Sequence, residues 1–189
     1  MQQQLTTFLR AGYAGLAIVT AEEVRAEAEI AAACATLGHS LHAWSSSEGL
    51  VDTKEGRISP CPDPLDALEF IEQLFLREQP RLAVVMRDLQ LHLDQTDPML
   101  VRRLKDLLRL AKAKGHALIL LGCRLKLPSE LDHEITRLEL ALPDSGQLAV
   151  VLDGIIGSAG LDPCDDSTRD GILHAALGLT TIEAENAFA

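Results

Sequence analysis

The chain has 189 residues, 47% of them apolar and only 3% aromatic, and carries a formal net charge of -11. That length supports one well-cored domain with a small appendage, and the aliphatic bias suits helices packed on a parallel sheet. The charge argues against a general binder of nucleic acid or anionic membrane, because either would repel the chain at long range. Cys34, Cys61, Cys123 and Cys164 are widely spaced with no C-x-x-C pair, so neither a zinc knuckle nor a disulfide framework is indicated and a reducing cytoplasm is the expected compartment. No segment reaches the apolar length that spans a bilayer.

Leu16 to Val19 reads as a strand, followed by a helix with a Thr20/Glu23 capping box and Gly38 as its stop. Leu41 to Trp44 reads as a second strand, and the polar stretch after it, residues 45–62, as a loop or at most a small hairpin. Asp63 and Pro64 predict a helix start and a helix to about Leu76. The strand Leu82 to Met86 follows. Asp97 and Pro98 repeat the start signal for a helix ending at Gly115. Ala117 to Leu121 and Thr136 to Leu140 complete five strands. Strands alternating with helices predict a doubly wound, mostly parallel five-stranded α/β sheet over residues 1–142. After Pro143 the pattern turns helical: Asp144 to Ser158, Ser167 to Leu177 and Thr180 onward, the last two with Ser167/Asp170 and Thr180/Glu183 capping boxes. Residues 143–189 therefore form a predicted helical subdomain. The last helix ends on apolar residues without a glycine or a basic last turn, so the natural chain is expected to continue.

In an open α/β sheet, ligands bind beyond the carboxyl ends of the strands, and a nucleotide phosphate sits on the helix after the first strand. Here that turn is Thr20-Ala21-Glu22-Glu23. It holds no glycine to wrap a phosphate and no lysine to neutralise one, and G-x-x-x-x-G-K-[ST] is absent. Asp88 ends the strand in which P-loop ATPases place a magnesium-binding Asp, but Leu89 stands where an acid would polarise water; shifted by one, Arg87 takes the Asp position. Arg124 and Arg137 lie near one sheet edge, as arginines acting on a neighbouring subunit's nucleotide would, or as partners for Glu130 or Glu134. Arg102, Lys105, Arg109 and Lys112 make a basic stripe on one helix, a candidate docking face for an acidic partner. His39, His42, His92 and Asp94 do not assemble into a metal site.

Several segments, in order, carry a resemblance: "LRAGYAGLAIVTAEEVRAEAEIAAACATLGHSLHAWSSSEGL", "DPLDALEFIE", "LAVVMRDLQLHLDQ", "VRRLKDLLRLAKAKGHALILL", "LPSELDHEITRLELALPD" and "AALGLTTIEAENAFA". Together they resemble the N-terminal half of AAA-type ATPases found in cyanobacteria, other bacteria and some algal chloroplast genomes. The resemblance implies an AAA-like α/β core with a small helical lid, lacking its own Walker A loop. ATP and magnesium would then belong to the other half of the parent protein, and none to this chain. It implies no catalytic residue here and leaves Asp88 as a degenerate Walker B candidate. The function expected is noncatalytic assembly and regulation: packing against an active AAA domain of the same or a related chain, in a homo-oligomer, in the cytoplasm. Two rival readings are a receiver-like signalling domain with Asp88 as phosphoacceptor, and a nucleic-acid-associated ATPase component using the basic stripe.

Overall fold

The computed structural model describes residues 1–77, 80–93, 97–162 and 164–189; Asp94, weighed above as a metal ligand, lies outside them. In chain order the elements are α1 (Gln2–Arg10), β1 (Gly15–Val19), α2 (Glu23–Leu37), β2 (Ser40–Ser45), β3 (Gly49–Asp52), β4 (Gly56–Ser59), α3 (Pro64–Leu76), β5 (Leu82–Arg87), α4 (Leu89–Leu93), α5 (Pro98–Lys114), β6 (Ala117–Gly122) and β7 (Thr136–Glu139). Then follow α6 (Ser145–Ala159), α7 (Asp166–Ala176) and α8 (Thr181–Phe188). The chain divides into two compact units, Met1–Leu140 and Ala141–Ala189.

The first unit is built on one sheet in the order β4-β3-β2-β5-β6-β1-β7. β2, β5, β6, β1 and β7 are mutually parallel. The period-two alternation of a strand feeds two cores. Ala17, Val84, Met86, Leu118 and Leu120 point to the side covered by α3 and α5, while Leu16, Ile18, Ala83, Val85, Ile119 and Leu121 point to the side of α1 and α2. The sheet is thus buried on both faces, which is why its central strands read as continuous apolar runs. Trp44 and Phe75 are fully buried on the α3/α5 side, and the Trp44 Nε1–H donates to the Cys61 carbonyl at 2.7 Å.

The sheet has seven strands where five were expected. The extra pair is the antiparallel β3 and β4, the small hairpin that residues 45–62 allowed, joined to the edge beyond β2. Each strand has only four residues, and of β4 no residue is fully buried, so alternation is too brief to register. Turn chemistry marks the hairpin: Asp52 Oδ1 accepts from the amides of Lys54 and Glu55, and Gly56 takes φ 98°, a left-handed geometry that suits glycine. Helices α1 and α4 were also not expected. The former shows only Leu5 and Leu9 as fully buried anchors, and the latter spans five residues.

Local start and stop signals fared unevenly. Asp63 caps α3 and Asp97 caps α5, each with Pro at the first helical position, and Gly38 and Gly115 end α2 and α5 in the left-handed region. The Thr20/Glu23 box does not form. Glu22 is the residue before α2 and its side chain makes no cap, because Thr20 Oγ1 accepts from the Glu22 amide instead, at 3.0 Å.

In the second unit, Leu148, Leu152, Leu173, Ala176 and Ala184 form the core of three helices. The Thr180/Glu183 box is present, and Asp144 with Gln147 makes another at the start of α6. The Ser167/Asp170 box is absent because Asp165 caps α7 two residues earlier, accepting from the Thr168 amide at 3.0 Å and its hydroxyl at 2.7 Å.

Candidate functional site

The carboxyl ends of β1, β5 and β6 define the edge where a sheet of this kind binds ligand. β1 leaves the sheet through Thr20, whose amide donates to the Gly122 carbonyl at 3.0 Å. The chain then enters α2 through Glu22, a buried carboxylate. Arg25, one turn on, holds it through Nη2 and through Nε at 3.1 Å.

Arg87, the last residue of β5, reaches across this edge. Its guanidinium grips Glu27 with both ends of the fork, Nε to Oε1 at 2.6 Å and Nη2 to Oε2 at 3.1 Å. Nη1 takes Glu48, in the β2–β3 turn, at 2.9 Å, and Nε stands 3.7 Å from Glu23. One cation from the sheet therefore ties the first two turns of α2 to the turn beyond β2. The hydrogen bond to Glu27 is the chief cause that raises the Arg87 pKa above its already high ordinary value. Burial, followed by the Glu27 charge, holds the Glu23 carboxyl above its ordinary value despite Arg87 beside it. In sequence Arg87 stands only in a failed Walker register, and nothing there gathers this cluster. Its only local signature is Glu23 and Glu27 one helical turn apart, below an arginine that ends a buried strand.

Asp88 is the one non-glycine among the described residues with positive φ, at 55°. Aspartate tolerates that conformation better than most side chains. Its amide still donates to Leu121 across the sheet at 2.9 Å, and its carbonyl accepts from Leu91 to open α4. Its Oδ1 accepts from Gln90 Nε2 at 3.1 Å. Gly122 makes room for this pair: a Cβ there would stand 2.0 Å from Gln90 Nε2 and 2.9 Å from Asp88 Oδ1. Asp88 thus turns the chain from strand to helix, with buried Leu89 next to it and no second acid.

Arg124 and Arg137 are both exposed, the first after β6 and the second on β7. In the basic stripe of α5, Arg102 binds Asp106 (Nε to Oδ2, 2.8 Å), Arg109 stands 3.7 Å from the same carboxylate, and Lys105 donates to the Glu130 carbonyl at 3.0 Å. Of the four, Lys112 alone has no carboxylate within ion-pair distance among the described residues, so the stripe is less open to an acidic partner than its spacing suggests.

The residues at this edge do not fit a magnesium-bound triphosphate. Two guanidiniums, Arg25 and Arg87, face five carboxylates, Glu22, Glu23, Glu27, Glu48 and Asp88, and no lysine or glycine stands in the turn after β1. A phosphate would meet like charge where helix dipole and cations should hold it. The receiver-like alternative also fails, on strand order. Receiver-like sheets run 2-1-3-4-5, whereas the parallel strands here run 2-3-4-1-5 in chain order, with β6 between β1 and β5.

This fold and strand order define an α/β ATPase-type domain of the AAA/P-loop class. The chain belongs to the SpoVK-like AAA ATPases, as their N-terminal domain, whose family model matches residues 1–140; this is the family that the ordered segments resembled. It is 30% identical over 178 residues to the AAA domain-containing protein ycf46 of Trieres chinensis, covering 94% of this chain and 35% of that one. To ycf46 of Guillardia theta it is 29% identical over 173 residues, covering 91% and 33%. The chain thus spans about a third of the length of these relatives. Among solved structures, it is similar to the FIGL-1 AAA domain in complex with ADP, with a TM-score of 0.62 and 13% identity over 94% of this chain and 59% of that one. It is also similar to a DNA replication initiation factor, with a TM-score of 0.61 and 10% identity over 98% and 57%. At such identities the likeness is one of fold.

Proposed function

We propose that this chain is a degenerate, noncatalytic AAA-like module that assembles with and regulates an ATP-hydrolysing domain outside it. The observation that carries the reading is the Arg87 cluster: the helix end that would cradle phosphate is bound to the sheet by its own carboxylates. A module fixed in this way keeps the shape of an ATPase domain without its substrate, and shape is what packing against a neighbouring AAA domain requires. ATP and magnesium then act in the active domain of the same or a related chain. Arg124 and Arg137, exposed near one edge, are the arginines available to a neighbour's nucleotide, and Arg102, Lys105, Arg109 and Lys112 a secondary contact face. The helical unit at 141–189 is lid-like in its make-up of three short helices. Homo-oligomerisation follows for the parent protein, and four unpaired cysteines agree with a cytoplasmic setting. No described helix is long and apolar enough to cross a membrane.

The test mixes this chain with the separately expressed ATP-hydrolysing remainder of its parent protein and follows sedimentation and ATP turnover. The expected result is a complex and a changed turnover rate, with no hydrolysis by this chain alone. Hydrolysis by this chain, or no complex and unchanged turnover, overturns the reading.

A further inference from the structure

At the opposite edge of the sheet, where β5 and β6 begin, the charge balance reverses. A cleft of about 310 Å³ is lined there by Arg10 at the end of α1, Arg81 just before β5, and Lys112 and Lys114 at the end of α5, together with His39 and His116. None of the four Lys and Arg side chains has a carboxylate within ion-pair distance among the described residues. In a chain of net charge -11, four uncompensated cations on one concavity stand out against the rest of the surface. Helix dipoles account for Lys112, Lys114 and Arg10, each in the last turn of its helix. They do not account for Arg81, which lies on no helix and packs its guanidinium over Gly115, where a Cβ would stand 3.1 Å from Nε.

The second observation is His39. The residue is 7% exposed, lines the cleft, and leaves Nδ1 buried with no hydrogen-bond partner. A buried polar nitrogen is ordinarily satisfied. His116, by contrast, is satisfied: its Nδ1 accepts from the Leu82 amide at 3.0 Å and its ring stacks on Phe75 with centroids 4.5 Å apart. Burial, then the charges of Arg81 and His116, hold His39 below its ordinary pKa. An anion in the cleft would remove that repulsion.

We propose that this cleft is a binding site for a small phosphorylated ligand, with Arg81 and Lys112 as its principal cations and His39 in its wall. Arg81 supplies a planar fork suited to two oxygens of one phosphoryl group, and Lys112 and Lys114 act as point charges beside it. The volume is at the small end of the range for ligand clefts, about 300 to 1,000 Å³, which fits a phosphorylated small molecule and not a length of peptide. A nucleic-acid strand would add phosphates that the acidic remainder of the surface repels. The cleft lies at the other end of the strands from the Arg87 cluster and shares only Lys112 with the proposed secondary contact face.

The experiment is calorimetric titration of the full chain with inorganic phosphate, pyrophosphate and a single-stranded oligonucleotide, in a chloride buffer. Pyrophosphate is expected to bind saturably with one-to-one stoichiometry and more tightly than phosphate. Arg81→Gln with Lys112→Gln should weaken it at least tenfold. Both surface substitutions leave the core intact, and an unchanged far-ultraviolet circular dichroism spectrum checks this. No saturable binding by the unaltered chain, or binding unchanged in R81Q/K112Q, overturns the proposal. So does an oligonucleotide that binds more tightly than pyrophosphate and loses affinity in the same variant.

Discussion

Arg87→Ala removes the one cation that joins β5, α2 and the β2–β3 turn, and the structure sets the size of the loss. The Arg87 side chain is 22% exposed and Glu27 28%, so their forked pair is a partly buried, charge-assisted contact worth about 1.5 to 3 kcal/mol. Glu48 and Glu23 are 57% and 47% exposed, and solvent screening reduces each to a few tenths of a kcal/mol at most, roughly the low end for surface pairs. The variant should therefore lose about 2 to 3 kcal/mol, part of it from the repulsion among carboxylates left without a counterion. Trp44 is the only tryptophan and is fully buried in the sheet unit, so urea unfolding followed by its fluorescence reports the unit in question. Pairing Arg87→Ala with Glu27→Gln in a double-mutant cycle should give a coupling of about 1 to 2 kcal/mol. Raising salt from 0.1 to 1 M shortens the screening length from about 10 to 3 Å and should recover part of the loss in Arg87→Ala. A total loss below about 0.5 kcal/mol, or a coupling of zero, would refute the view that this cluster holds the edge together.

Further predictions concern the same edge and the pH response. Gly122→Ala places a Cβ against Gln90, which is only 4% exposed, and should cost about 1 to 3 kcal/mol in urea unfolding; adding Gln90→Ala should recover much of it, and an unaffected Gly122→Ala chain would contradict the packing described. Asp88→Gly and Asp88→Val both lose the hydrogen bond to buried Gln90, but glycine accepts φ 55° whereas valine adds about 1 to 2 kcal/mol of strain in the left-handed region, so the valine variant should be the less stable by that margin; equal effects of the two would speak against backbone geometry as the role of this residue. His39 and His116 are both held below their ordinary value of 6.5, chiefly by burial. The unfolded chain then binds more protons than the folded one as pH falls below that value, so stability should drop from pH 7.5 to 5.5 in a phosphate-free buffer. Glu23, raised from 4.5 chiefly by burial, acts in the opposite sense. His39→Asn should flatten the slope, and a urea midpoint that rises as pH falls would contradict the assignment.

The parallel core was legible because its strands are buried on both faces and its helices carry strong local punctuation, Asp-Pro at two starts and glycine at two stops. These signals act over a few residues, where sequence and structure coincide. β3 and β4 were legible only as a loop or small hairpin, because a four-residue edge strand with one buried face has little pattern to show. The Thr20/Glu23 box was misplaced because Thr20 Oγ1 can accept from the nearer Glu22 amide, and spacing cannot rank two donors on one short turn. The emptiness of the phosphate turn was readable residue by residue. Its filling was not: Arg87 meets Glu27 and Glu48 across 60 and 39 residues, and only the order of the strands brings these groups together. The cleft around Arg81 was hidden for the same reason, since its cations come from α1, α5 and the start of β5.

The central claim, that the carboxyl edge of this sheet does not bind nucleotide, is tested most directly by thermal unfolding with and without millimolar Mg-ATP. The chain used should carry Arg81→Gln and Lys112→Gln, so that anions at the opposite edge do not contribute. A ligand at 100 times its dissociation constant adds about 2.7 kcal/mol, which for a chain of this size raises the midpoint by about 5 to 10 °C. The account predicts no rise. A rise of that size, abolished by substituting Asp88, would mean that a nucleotide displaces the Arg87 cluster and that the module binds ATP after all.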